Sequence, residues 1–165
     1  MDIKLRNASE SDLEQILAIV NHNILYTTSN YNYDIQSLEV QTKWFQDKKL
    51  MNWPIIVADL DGVTIGYGTY GMFREKIGYQ YTVEHSVYVA EEFIGKGIGG
   101  LLLEELIRLA KAQGLHVMMG AIDAENKGSI AFHEKYGFKV CGHIKDAGFK
   151  FDRWLDLVFM QLILK

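Results

Sequence analysis

From Tyr79 to Val89 the chain alternates. Tyr79, Tyr81, Val83, His85, Val87 and Val89 fall on one side of a period of two, and Gln80, Thr82, Glu84, Ser86 and Tyr88 on the other, as in a strand with two different faces. After Gly99 the period lengthens. Leu102, Leu106, Leu109 and Ala110 share one helical stripe, Glu104, Arg108 and Lys111 point elsewhere, and Gly114 stands where a left-handed C-cap is wanted. Earlier in the chain, Ile3 to Leu5 reads as a short strand. Ser9 or Ser11 then opens a helix whose buried stripe is Leu13, Ile16, Leu17, Ile19 and Val20, and Ser37 opens a second helix through about Lys48. Ile55 to Ala58 and Val63 to Gly71 read as strands joined at Asp61-Gly62, a strong signal for a tight hairpin. His116 to Ile122 is a short apolar run, expected as a buried strand parallel to the alternating one. Asn126 or Ser129 caps a helix through Tyr136, with Gly137 as its C-cap, and Phe138 to Cys141 and Leu155 to Leu164 are the last strands. The expected fold class is α/β (α+β): a central mixed sheet of about seven strands flanked by about four helices.

Composition narrows the field. A chain of 165 residues, 48% hydrophobic, suits one well-buried domain over residues 1–165. Its net charge of −4 and lack of any basic run argue against a nucleic-acid partner. No uninterrupted apolar stretch approaches the ~20 residues of a membrane span, and the amino terminus has no apolar leader core, so a soluble, cytoplasmic protein is expected. The single cysteine, Cys141, cannot form an internal disulfide and is expected as a small core residue. His22, His85, His116 and His143 show no metal-ligand spacing, so no metal site is expected.

Between strand and long helix lies Gly95-Lys96-Gly97-Ile98-Gly99-Gly100. Glycines there lose entropy on folding, and what they leave is bare backbone at a helix N-terminus, a natural seat for a diphosphate. A Walker loop is excluded because Leu101 and Leu102 stand where Lys-Ser/Thr would follow Gly100 in register. A dinucleotide fingerprint is literally present as Gly95, Gly97 and Gly100, with Asp123 near the ribose position. However, Ala90 to Ile94 separate the first glycine from its strand, and little chain remains after Asp123 to complete that fold. Gly66, Gly68 and Gly71 weaken their own strand and mark either close approach of a ligand or a bulge. The tyrosine-rich segment from Thr27 to Tyr33 either walls a pocket or covers a core edge.

The glycine run resembles the pyrophosphate loop of the Gcn5-related N-acetyltransferases, Arg/Gln-x-x-Gly-x-Gly/Ala. Gly97 and Gly99 take the glycine positions, and Ile94 stands where the family has Arg or Gln. Further stretches resemble one branch of it, the phosphinothricin (methionine sulfoximine) N-acetyltransferases: Thr82 to Val89, Ile122 to Asn126, Ser129 to Phe138, and Gly148 to Leu157. Asp152 falls where that branch commonly has glycine. The resemblance implies acetyl-CoA as co-substrate and a small free amino acid as acceptor. Gly95, Lys96, Gly97, Ile98, Gly99 and Gly100 would hold the diphosphate, Val87, Tyr88 and Val89 would lie along the pantetheine, and Asn126 would hydrogen-bond it. Glu84 is the candidate general base, since partial burial would raise its pKa usefully. His133 stands where the wider family carries a thiolate-protonating tyrosine. Arg74 is the candidate grip on the substrate carboxylate, and Tyr79 and Tyr81 are candidates for the side-chain slot, although alternation puts both opposite Glu84. Members of the branch generally pair, so a homodimer is expected, with Phe149, Phe151 and Trp154 either at the interface or in the core. A non-catalytic acyl-CoA sensor would lack base or donor, and both Glu84 and His133 are present.

Overall fold

Both periodicities find partners in one seven-stranded sheet, in a computed structural model that describes residues 1–165. The strands are β1 (Ile3–Asn7), β2 (Ile55–Leu60), β3 (Val63–Met72), β4 (Thr82–Val89), β5 (Val117–Asp123), β6 (Lys139–Lys150) and β7 (Arg153–Ile163). The helices are α1 (Leu13–Tyr26), α2 (Leu38–Leu50), α3 (Ile98–Ala112) and α4 (Lys127–Lys135). The spatial order is β1-β2-β3-β4-β5-β7-β6, and every neighbour is antiparallel except the pair β4–β5. Element order and strand count match the reading of the sequence.

Two cores sandwich the sheet. On one face α3 buries Ile98, Leu102, Leu106 and Ala110 with Tyr70, Val83 and Met118 of the strands. On the other, α1 and α2 bury Ile16, Val20, Ile24 and Phe45 over Val57 and Tyr67. The glycines of β3 serve this packing. A Cβ on Gly66 would lie 3.3 Å from Leu102 Cδ1, one on Gly68 3.0 Å from Leu106 Cδ1, and one on Gly71 2.8 Å from Lys48 Nζ. They admit helices, and no ligand is needed to explain them.

Several boundaries differ from expectation. β4 begins at Thr82, because Ile77–Tyr79 form a 3-10 turn ahead of it. Ser9 caps a 3-10 turn, Glu10–Asp12, ahead of α1, with its backbone amide donating to Asp12 Oδ2 at 2.7 Å. The buried Asp12 also receives a bidentate grip from Arg6 at 2.8 Å on each oxygen, which sequence reasoning missed. β6 was expected to stop at Cys141 and continues to Lys150. Cys141 is exposed on this edge strand, not in the core. Two hairpins close on two-residue turns with both residues at positive φ: Asp61-Gly62 (52° and 86°) between β2 and β3, and Phe151-Asp152 (53° and 56°) between β6 and β7. No helix is long and apolar enough to cross a membrane.

Candidate active site

Strands β4 and β5 pair only from Thr82 to Glu84 against Val117 to Met119. Beyond that point β4 stays with β3 as far as Val89 and β5 stays with β7 as far as Asp123, so the sheet opens between them. A cavity of about 300 Å³ occupies the opening. Glu84 lines it, half-buried, and desolvation raises its carboxyl above the ordinary range. Asp123 lines it too, buried, with Thr28 Oγ1 donating to Oδ2 at 2.5 Å and the Glu125 amide to Oδ1 at 3.0 Å. None of the sixteen lining residues is Lys or Arg.

His133 of α4 and His85 of β4 stack in the floor of this opening, ring centroids 5.0 Å apart and Nε2 atoms 3.0 Å apart. Chemistry assigns their protons. His133 Nδ1 lies 2.7 Å from the Ser129 carbonyl, which can only accept, so Nδ1 carries hydrogen. A neutral His133 then has a lone pair on Nε2, His85 Nε2 donates to it, and His85 Nδ1 is left buried without a partner. Both rings are held neutral. Burial, and secondarily His133, lowers His85 to about 3, and burial lowers His133 as well. Gly120 of β5 makes room for the pair, since a Cβ there would lie 3.2 Å from His85 Nε2.

At the far end of β4 the glycine run turns into α3. Gly95 and Gly97 both have φ of 82°, in the left-handed region that glycine enters without penalty, and Gly97 is the N-cap of α3. The amides of Gly97, Ile98 and Gly99 donate to no carbonyl of the chain, so the helix start presents unsatisfied donors, as an anion site requires. The side chain of Ile98 is buried in the core and leaves only its amide for a ligand. Gly100 has a different reason to be glycine: a Cβ there would stand 2.1 Å from the Tyr136 hydroxyl. The edge of β4 at Val87, Tyr88 and Val89 carries no strand on the β5 side, so its backbone can take an extended ligand arm. Asn126 accepts from Ser129 N as the N-cap of α4 and also lines the cavity. These groups fit a diphosphate joined to an extended amide-bearing arm.

Comparison with known proteins agrees. Residues 5–159 match the family profile described as an acetyltransferase (GNAT) domain. This chain belongs to the GNAT acetyltransferases. It is 45% identical over 165 residues to the L-methionine sulfoximine/L-methionine sulfone acetyltransferase of Pseudomonas aeruginosa, covering 99% of this chain and 96% of that one. It is 30% identical to the phosphinothricin N-acetyltransferase of Streptomyces viridochromogenes, over 96% of this chain and 86% of the relative. The crystal structure of a phosphinothricin acetyltransferase from Sinorhizobium meliloti in complex with acetyl-CoA superposes with a TM-score of 0.95 at 36% identity, covering 99% and 89% of the two chains.

In this acetyltransferase the fold brings Glu84, His133, Asn126 and the end of β4 around one opening. Arg74, Tyr79 and Tyr81 are not among the cavity's lining residues. The Arg74 guanidinium lies over the rings of Phe73 and Tyr79, 5.6 and 5.8 Å from their centroids, and Tyr81 is exposed. Lys96 is exposed over Phe93. Sequence reasoning did not connect Thr28, Ser29, Tyr31, His85 and Asp123 with the opening, although the tyrosine-rich segment was the signal for three of them. That segment walls the pocket. Among the described residues no cluster of three or more His, Cys, Asp or Glu is arranged to hold a metal.

Proposed function

We propose that this acetyltransferase moves the acetyl group of acetyl-CoA to the α-amine of a small free amino acid, of the methionine sulfone, methionine sulfoximine or phosphinothricin kind for which its relatives are named. The observation that carries this reading is the half-buried Glu84 at the point where β4 leaves β5. One strand supplies both the base and the open edge that leads to the amides of α3.

Each residue then has a task. The amides of Gly97 to Gly99, with Gly95, Lys96 and Gly100 completing the loop, hold the diphosphate, and α3's positive end favours it. Val87, Tyr88, Val89 and Asn126 align the pantetheine arm. Glu84 takes the proton from the substrate ammonium so that the amine can attack the thioester carbon. A neutral His133, with Nδ1–H committed to Ser129 and Nε2 accepting from His85, has no spare proton for the departing thiolate, and its task is to hold the floor of the opening as a hydrogen-bond partner. Arg74 is the proposed grip on the substrate carboxylate. The Phe73 amide donates to the Thr82 carbonyl, which holds the start of this segment beside the strand that bears Glu84. Phe149, Phe151 and Trp154 are the proposed centre of a homodimer, and the proposed location is the cytoplasm.

A panel of α-amino acids, amines and peptides with acetyl-CoA, followed by release of free thiol, tests the reading. Free amino acids with a polar side-chain end should be turned over, and Glu84→Gln should lower kcat by roughly 10²-fold at neutral pH with CoA affinity retained. Because the base works unprotonated, kcat/KM of the wild type should rise with pH through Glu84's raised pKa, and the variant should lose that limb. Full activity of Glu84→Gln at pH 7 would remove Glu84 as the base, and turnover of peptides alone would remove the substrate class.

A further inference from the structure

One loop, residues 27–31 after α1, crosses the opening between β4 and β5 and is tied to a strand on each side. On the β5 side Thr28 Oγ1 donates to the buried Asp123 Oδ2 at 2.5 Å. On the β4 side the Tyr88 hydroxyl donates to the Ser29 carbonyl at 2.9 Å, and the Tyr88 ring packs on the buried Tyr67, centroids 5.6 Å apart. Burial first, and then the Glu84 carboxylate, push the Tyr88 hydroxyl up to about 12, so it stays a donor at neutral pH. Beyond the crossing the loop is fastened to β6. The buried Lys150 donates to the Thr27 and Asn30 carbonyls at 2.7 and 2.5 Å, and Tyr31 packs so closely that a Cβ at Gly148 would stand 2.5 Å from its Cε2. On the other face of β4, His85 meeting His133 of α4 makes a second crossing.

We propose that this loop is a brace that fixes the width of the opening, with Thr28, Asp123 and Tyr88 as positioning residues for the pantetheine arm of acetyl-CoA. This rests on the functional reading above and deepens it. Three rungs alone hold β4 to β5, so without a crossing the two half-sheets are free to change their splay about that short ladder. An arm that pairs with the free edge of β4 tolerates little of this, because a hydrogen bond weakens steeply outside a narrow range of length and angle. Fixing the splay in advance keeps the binding-competent width populated, and the arm then binds without first selecting it. None of the three side chains needs to touch the arm. The two anchors act in series: cutting either end disconnects the crossing, while Lys150 and Tyr31 keep the loop on β6.

Calorimetry on Thr28→Val, Tyr88→Phe and their double variant tests the brace, with CoA as one ligand and ADP, which carries a diphosphate but no arm, as the other. Each single change should raise Kd for CoA by about fivefold, the scale of one lost hydrogen bond, and leave Kd for ADP unchanged. Because the anchors act in series, the double variant should match the weaker-binding single and not multiply the two losses. Thr28→Ser keeps the hydroxyl and should restore CoA affinity, which separates loss of the anchor from loss of the fold. Unchanged CoA affinity in both singles, an equal weakening for ADP, no recovery in Thr28→Ser, or multiplied losses in the double variant would each overturn the brace alone. A wild type that does not bind CoA would overturn the functional reading and this proposal with it.

Discussion

His85 shows how one buried ring ties stability to pH. In the folded protein it stays neutral down to about 3, against an ordinary 6.5 in the unfolded chain. Between those values the unfolded state binds a proton that the folded state refuses, so the contribution is fully present above 6.5 and is lost progressively as pH falls towards 3. From pH 7 to pH 5 this one site should remove about 2 kcal/mol. His85→Gln keeps an N–H donor for His133 without titrating, so denaturant melts at the two pH values should show that much smaller a loss in the variant. Equal losses would mean that His85 is not the group responsible. Glu84, Asn126 and His133 were legible in the sequence because each sits inside a local pattern. Tyr31, His85 and Asp123 were not, because what makes them matter is contact across long separations: Tyr31 against Gly148, Thr28 on Asp123, His85 on His133. Asp123 drew notice only through the dinucleotide fingerprint that the sequence argued against, and in the fold it pins the loop that carries Tyr31.

At the level of elements, two hairpin turns of the same shape were legible to very different degrees. Asp61-Gly62 announces itself, because glycine occupies positive φ freely. Phe151-Asp152 also takes positive φ at both positions, but Phe151 is ill-suited to it and no glycine marks the pair, so the local sequence signalled the turn only weakly. The strand leading to it was equally silent. β6 is exposed on almost every residue, with register shifts after Val140 and after Ile144, so no period of two survives in its sequence. Strands with one buried face were found with nearly correct limits, because burial writes the period. The turn places the Asp152 backbone in the left-handed region. Asp152→Gly should stabilise the protein by about 1 kcal/mol by removing left-handed strain. A melting temperature raised by about 2–4 °C is the expected result. A lower one would indicate that the Asp152 side chain contributes more than its backbone loses.

For the whole molecule, the tip of that hairpin is the most conspicuous apolar surface. Phe149, Phe151 and Trp154 are 42%, 51% and 64% exposed, and the Phe149 and Trp154 rings pack 5.0 Å apart. Of the two readings open at the start, core or interface, exposure favours the second. Sedimentation at micromolar concentration should give a dimer, and Trp154→Glu should shift it towards monomer; a wild-type monomer would remove the proposal. The opening between β4 and β5 has a consequence of another kind. Three rungs join a four-stranded half-sheet to a three-stranded one, and a substrate arm seated as proposed supplies backbone-like pairing where the ladder stops. Occupancy then adds cohesion between the halves, about 2.7 kcal/mol at a hundredfold excess over Kd. Resistance to proteolysis should therefore rise when the opening is occupied, which limited digestion with and without acetyl-CoA would measure.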